Sequence, residues 1–272
     1  MKKVVFFGSG YYVIPIIEVL KTKGLSLVVT TESEGKLLSY LKSNNIPHLC
    51  SHLKNPDDIQ KIENLKPDIG VLASYGAILP KKILELFPEG ILNVHPSLLP
   101  KFKGPSPIQF TILSGDKETG VSIIILNDKV DHGPIALQEK IQLDGSETFQ
   151  SLLENLFSKG AELVDQVLKI KNPDFTAQDD SQESWSYKIK KTDGEIELNN
   201  PPKPEELDRK IRAYFPWPGV FFTSNIGGKK KYIKLLTEHQ IQVEGKNPMD
   251  FKSFKNGYGK EALDILEKLG FN

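Results

Sequence analysis

Residues 2–10, "KKVVFFGSG", and residues 12–24, "YVIPIIEVLKTKG", decide the fold. The first stretch is a β-rich apolar run that ends in glycines. The second carries apolar residues at helical spacing and stops at Gly24, so the pair reads as strand, turn, helix. Working outward, the alternation repeats: "LSLVVTT" (25–31) reads as a strand, "KLLSYLKSNN" (36–45) as a helix and "PDIGVLASYG" (67–76) as a buried strand. "PKKILELFP" (80–88) follows as a short helix and "GILNVHPS" (90–97) as another strand. Strands that alternate with helices form parallel sheets with right-handed crossovers, so an α/β domain is expected. The pattern changes at "GVSIIILNDKVDHGPIALQEKIQLDG" (120–145), two β runs about a "VDHG" turn. It changes again at "ETFQSLLENLFSKGAELVDQVLKIK" (147–171), a long amphipathic helix with Leu152, Leu153, Leu156, Phe157, Leu163, Val164 and Val167 on one side.

Residues 172–183, "NPDFTAQDDSQE", are polar, contain a proline and show no apolar period, which marks a linker. The expected organisation is a catalytic domain over 1–171, the linker, and a β-rich domain with a terminal helix over 184–272. In the last part, "GEIEL" (194–198), "GVFFTSNIGGKKKYIKLL" (219–236) and "QIQV" (240–243) read as short β runs of a small antiparallel or barrel-like unit. "KEALDILEKLG" (260–270) reads as the closing helix.

The 272 residues suffice for two cores. Lys plus Arg and Asp plus Glu both number 35, so no global field attracts nucleic acid and an anionic partner needs a local patch. Cys50 is alone, which excludes an internal disulfide and a cysteine zinc cluster. No signal peptide or long apolar span is visible, so a cytoplasmic location without membrane partners is expected.

Residues just past a parallel strand lie at the usual ligand crevice, and Asn93 and His95 sit there. Two apart in extended chain, their side chains project to the same side and can present donors to one point. Such a pair suits the oxygen of a carbonyl under attack. Asp131 in the "VDHG" turn can handle the proton and orient the imidazole. Taken singly, the same residues also serve as a backbone cap, a satisfied surface group and a turn former. The N-terminal "GSG" could cradle a phosphate, but Val13 occupies the third glycine position of a dinucleotide fingerprint. Glu32 near the end of the second strand keeps a dehydrogenase open as an alternative.

The stretch "NVHPSLLPKFKGPSPIQFTILSGDKETGVSIIILNDKVDHGPI" (93–135) resembles the signature of the folate-dependent formyltransferases, with Asn-X-His, Ser-Leu-Leu-Pro and a downstream Asp-X-Gly together. The likeness continues through "YKIKKTDGEIEL" (187–198), "IRAYFPWPG" (211–219) and "VEGKNPMDFKSFKNGYG" (243–259), which are similar to members that act on a charged initiator transfer RNA. The resemblance implies a Rossmann-like, mostly parallel catalytic domain followed by a small, reduced OB-like domain. It implies an enzyme of translation initiation that moves the formyl group of 10-formyltetrahydrofolate to the α-amino group of methionyl-initiator tRNA, as a monomer and without a metal.

The resemblance places Asn93, His95 and Asp131 as the catalytic trio. It places the folate co-substrate against Ile78, Leu79, Pro80, Leu92, Val94, Leu126, Asn127 and Val130. The acceptor would meet Gly8, Gly10, Ser97, Leu98, Leu99, Pro100, Lys103 and Gly104, with Ser97 shaping the crevice rather than reacting. Arg209, Arg212, Lys229, Lys230 and Lys231 would meet the phosphate backbone; residues 209–237 hold seven Lys or Arg and no acid. That patch could equally be a solvated face with edge-strand lysines.

Three departures from the family pattern stand out. "TTESEGK" (30–36) is short and acidic where a long basic loop is usual, strands are missing between "KYIKLLTEH" and "QIQVEGK", and Lys103 stands where arginine is common. The first favours an alternative acceptor, a small amine such as an amino-sugar nucleotide or glycinamide ribonucleotide. A second alternative is a non-catalytic RNA-binding protein on a degenerate scaffold, which the intact trio disfavours.

Overall fold

The first strand, β1 (Val4–Gly8), is buried along its whole length, as a strand covered on both faces must be. It lies inside a seven-stranded sheet of order β3-β2-β1-β4-β5-β6-β7. The computed structural model describes residues 2–171 and 173–271; Met1, Asn172 and Asn272 lie outside the described residues. β2 (Leu25–Thr30), β3 (His48–Cys50), β4 (Ile69–Ala73) and β5 (Ile91–His95) run parallel to β1. Helices α1 (Ile14–Lys21), α2 (Lys36–Ser43), α3 (Pro56–Leu65) and α4 (Lys81–Leu84) connect them. The order 3-2-1-4-5 is the Rossmann-like arrangement that the family resemblance implies.

After α5 (Pro107–Ser114), β6 (Glu118–Ile125) and β7 (Ile135–Gln142) join antiparallel and are the hairpin expected about "VDHG". β7 closes the sheet, and its second half alternates exposed Gln138, Lys140 and Gln142 with half-buried residues, which suits an edge strand. In α6 (Phe149–Lys169) all seven stripe residues read from the sequence are buried.

By contact density the chain forms two compact units, Met1–Pro107 with Glu118–Gln142 and Leu153–Ser186, and Ile108–Lys117 with Leu143–Leu152 and Tyr187–Asn272. The stretch expected as a linker, 172–183, therefore falls inside the first unit. Thr176 exchanges two backbone hydrogen bonds with Ile135, at 2.8 and 2.9 Å. Thr176, Gln178, Asp180 and Glu183 are held by neighbours through hydrogen bonds and ion pairs rather than by apolar burial, so no period betrays the packing.

The second unit carries α7 (Pro204–Tyr214), an antiparallel sheet of β8 (Val220–Ile226), β9 (Lys229–Leu236), β10 (Gln240–Val243) and β11 (Met249–Asp250), and α8 (Phe251–Lys268). β8 and β9 turn through Gly227 and Gly228, both at positive φ, as a two-residue hairpin demands. α8 starts nine residues before the expected closing helix at Lys260 and is broken at Gly259, where φ is 55° and ψ is −126°. "GEIEL" is not a strand: Lys191–Gly194 is a 3-10 turn, held by Asp193 accepting from the Lys190 amide, and Glu195 makes only an isolated bridge to Phe221.

Three helices escaped the sequence reading, although all carry start signals. α3 has Asn55 accepting from the Asp57 amide at 3.0 Å, with Pro56 in the first turn. α7 has Pro204, then Glu205 and Glu206. α5 opens with Pro107 after Ser106, but it is apolar nearly all round and shows no helical stripe.

Candidate active site

Strand periodicity brings the candidate trio together. Asn93 and His95 are two apart on β5, a strand buried along its length, and both reach Asp131 in the turn between β6 and β7. Asn93 Nδ2 donates to Asp131 Oδ1 at 3.3 Å. His95 Nδ1 stands 3.6 Å from the same oxygen, wider than a hydrogen bond. The three are only 6, 5 and 8 % exposed, so the cluster sits in a dry environment where fixed dipoles act strongly.

The far side of the imidazole fixes its tautomer. His95 Nε2 lies 3.1 Å from the Phe102 carbonyl. A carbonyl can only accept, so Nε2 carries the hydrogen and Nδ1 is the nitrogen turned toward Asp131. Asp131 in turn takes a backbone hydrogen bond at Oδ2 from Gly104 at 2.8 Å.

The turn that carries Asp131 needs its sequence. Asp131 itself is left-handed, with φ of 54°, a conformation Asp tolerates better than most residues. Two residues on, a Cβ at Gly133 would lie 1.8 Å from the Ile125 carbonyl oxygen, so only glycine fits. The Ser97–Pro100 loop, which ends in a cis Leu99–Pro100 bond, is fastened from behind: Ser122 Oγ accepts from the Leu99 amide and donates to the Ser97 carbonyl. Ser97 Oγ donates to the Lys101 carbonyl at 2.6 Å and is 1 % exposed, which fits a shaping rather than a reacting hydroxyl.

Among the residues expected at the folate site, Ile78 is 84 % and Val130 51 % exposed, two apolar side chains on the loops after β4 and β6. Asn127 is exposed too, and Leu126 and Pro80 are half-buried. Leu79, Leu92 and Val94 are buried core residues, so only their backbone could serve a ligand.

The expected acceptor contacts fare less well. Gly10 donates its amide to Glu32 Oε1 at 2.6 Å, so the "GSG" turn already holds a carboxylate where a phosphate was considered. A Cβ at Gly8 would lie 2.8 Å from the Ala73 carbonyl oxygen, and its role is close strand packing. Lys103 is fully buried, with Nζ 3.0 Å from Asp180 and 2.9 Å from Glu183, so its ammonium is engaged within the protein rather than turned to an acceptor. Arg209 donates to the Leu113 carbonyl, and Arg212 to Asp208 and the Glu147 carbonyl. Of the "KKK" run, Lys229 and Lys230 are exposed and Lys231 half-buried. Strand alternation puts Lys230 on the opposite face from the other two, so the run does not make one patch.

Sequence reasoning missed the Phe102 carbonyl and the side chains of Gln178, Asp180 and Glu183. A carbonyl has no side-chain signature. A charged residue such as Lys103 inside an otherwise small-residue turn was the available hint that acids must meet it.

Comparison with known proteins gives the class. The sequence pattern of the formyl transferase family, described as "Formyl transferase", matches residues 1–168, and the chain belongs to that family. It is 35 % identical over 254 residues to the methionyl-tRNA formyltransferase of Methylacidiphilum infernorum, covering 87 % of this chain and 78 % of the relative. It is 31 % identical over 309 residues to the methionyl-tRNA formyltransferase of Sulfurimonas denitrificans, covering 97 and 99 %. That alignment is longer than this chain's 272 residues, so gaps fall in this chain. In fold the chain is similar to the crystal structure of a 4-N formyltransferase from Francisella tularensis, with TM-score 0.69, 21 % identity and coverage of 87 and 98 %.

Proposed function

We propose that this protein transfers the formyl group of 10-formyltetrahydrofolate to the α-amino group of methionyl-initiator tRNA. The observation that carries the chemistry is the convergence of Asn93, His95 and Asp131 on one buried point in a formyl transferase chain. The relatives aligned over most of their length support the acceptor.

The co-substrate fits the site by the exposed apolar pair Ile78 and Val130, which would cover its ring system. When bound, it supplies an activated formyl carbon. Asn93 Nδ2 and a protonated His95 Nδ1 then act as donors to the formyl oxygen as negative charge develops there. Asp131, 3.6 Å from Nδ1, supports the cationic ring and accepts the proton that the amine must lose. The bond from the amine nitrogen to the formyl carbon forms, the bond from that carbon to the donor nitrogen breaks, and the proton passes to the departing nitrogen. The Phe102 carbonyl keeps the imidazole from rotating throughout. In this reading the first unit performs the chemistry, and the second, through Lys229 and Lys230, adds weak phosphate contacts.

A second acceptor class, a small amine, is favoured by one feature: residues 30–36 form a short acidic loop whose Glu32 closes on the Gly10 amide. The deciding assay is formyl transfer to charged initiator methionyl-tRNA, with uncharged tRNA, an amino-sugar nucleotide and glycinamide ribonucleotide as parallel acceptors. Transfer to the charged tRNA alone is expected; transfer only to a small amine would move the protein to that second class.

A further inference from the structure

The end of the segment read from sequence as a linker, together with the next three residues, Ser184–Ser186, touches both halves of the candidate site. On one side it holds the loop that carries Phe102 and Gly104, whose backbone grips His95 and Asp131. The Lys103 amide donates to the Ser184 carbonyl at 2.8 Å, the Ser186 amide donates to the Lys103 carbonyl at 2.7 Å, and the Phe102 amide donates to Ser184 Oγ at 2.9 Å. On the other side it holds the Asp131 turn: Gln178 Nε2 donates to the Asp131 carbonyl at 2.8 Å and to that of Gly133 at 2.7 Å. His132 Nε2 lies 3.3 Å from Glu183 Oε2, and its ring packs 5.6 Å from the Trp185 ring.

We infer that Gln178–Ser186 sets the spacing of the His95–Asp131 pair, with Lys103 and Gln178 as positioning residues. The inference rests on the trio performing the transfer proposed above. Lys103 ties its loop to the segment through Asp180 and Glu183, and Gln178 ties the Asp131 turn to the same segment. The two loops that fix His95 and Asp131 are thus referenced to one piece of chain. A slip of about 1 Å between them opens a pair that is already 3.6 Å apart, and misplacement of that size costs ~10- to 100-fold in rate.

The charges are arranged for this role. The Lys103 side chain is 0 % exposed, whereas those of Asp180 and Glu183 are 67 and 34 % exposed. The Lys103 ammonium holds both carboxyls below the ordinary carboxylate range. His132, Asp180 and Glu183 could group around a metal ion, but the ammonium already stands between the two acids. Lys103→Met removes a buried charge and leaves two acids that water can reach, so the fold is expected to survive. Asp180→Asn with Glu183→Gln strands the ammonium and is the harsher change.

The test uses the full chain, with steady-state formyl transfer and ¹⁵N NMR of the imidazoles in parallel. In Lys103→Met, kcat is expected to fall ~10- to 100-fold with KM for both substrates nearly unchanged, and the His95 ring signals are expected to move. Lys103→Arg should restore most of kcat, because the acids regain a cation. Gln178→Leu should reproduce the kcat loss from the other loop, and it serves alone if Lys103→Met does not fold. Wild-type kcat and unmoved His95 signals in Lys103→Met or Gln178→Leu overturn the inference, as does a drop in Tm without either change. A wild-type protein that transfers no formyl group sinks the functional reading instead, and the His95 signals still decide the positioning.

Discussion

The two units differ in how their charged and polar groups are held. In the first, Asn93, His95 and Asp131 are buried within a strand and a turn, and every one is fixed by a named partner. In the second, the cations of residues 209–237 are divided: Arg209 and Arg212 fasten backbone and side-chain neighbours, Lys229 and Lys230 face water, and strand alternation splits the lysine run. Chemistry on a carbonyl needs donors placed to a fraction of an ångström, so it is encoded in a short, buried motif. Attraction for a phosphate backbone needs only net charge within a Debye length, so it tolerates scattered residues and leaves a weaker trace.

The comparison breaks first at the trio. Asp131→Asn preserves shape and acceptance from Gly104, loses the weak 3.3 Å contact from Asn93 and removes the proposed proton acceptor, and should lower formyl transfer ~10²- to 10⁴-fold with only a small change in melting temperature. Asn93→Ala should cost ~100-fold, about 3 kcal/mol of barrier. Stopped-assay turnover beside a thermal melt checks both; an active Asp131→Asn variant would remove that residue from the chemistry. Next in size is Gly133→Ala, which drives a methyl group onto the Ile125 carbonyl and should destabilise the first unit by about 3 kcal/mol in denaturant titration.

What the sequence disclosed follows the same division. The mostly parallel sheet and the shared side of Asn93 and His95 were legible because Val4–Gly8, Ile91–His95 and the 120–145 hairpin carry period and turn signals that the packing does not override, whereas the strand order and the short β3 were not. Lys103 was not legible. Its charge suggested a surface contact, and only the fold brings Asp180 and Glu183 from some eighty positions away to bury it. The 172–183 stretch misled for a related reason: its order comes from hydrogen bonds and ion pairs between distant residues, which leave no apolar periodicity. α7 hid among charges, with Leu207, Ile211, Ala213 and Tyr214 its only buried residues.

Acid sharpens the contrast inside the first unit. Lys103 depresses the Asp180 and Glu183 carboxyls below their ordinary 3.8 and 4.5. Between the depressed and ordinary values the unfolded chain binds more protons, so stability rises with pH there. The contribution is full above the ordinary values and is lost as pH falls through the depressed ones. Melting temperatures of wild type should therefore decline faster than those of Lys103→Met below about pH 4, where the variant has lost the Lys103 pairs and keeps only the His132–Glu183 contact. Solvent screens both acids, so the difference is expected to be small. Parallel acid limbs would mean that the two carboxylates stabilise nothing through Lys103.

The smallest effect belongs to the second unit, and it decides whether the scattered cations matter at all. Binding of initiator tRNA should weaken linearly in log salt, and each exposed lysine that meets a phosphate contributes about one to that slope. Lys229→Ala and Lys230→Ala should each lower the slope by no more than about one and leave kcat on saturating tRNA unchanged. Arg212→Ala should behave differently, because its guanidinium donates to Asp208 at 2.8 Å and to the Glu147 carbonyl at 2.7 Å. Its loss should lower the melting temperature and leave the salt slope alone. If instead Arg212→Ala flattens the slope while the lysine variants do nothing, the acceptor is gripped by ordered arginines. The second unit would then resemble the first, with recognition built from fixed side chains rather than from diffuse charge.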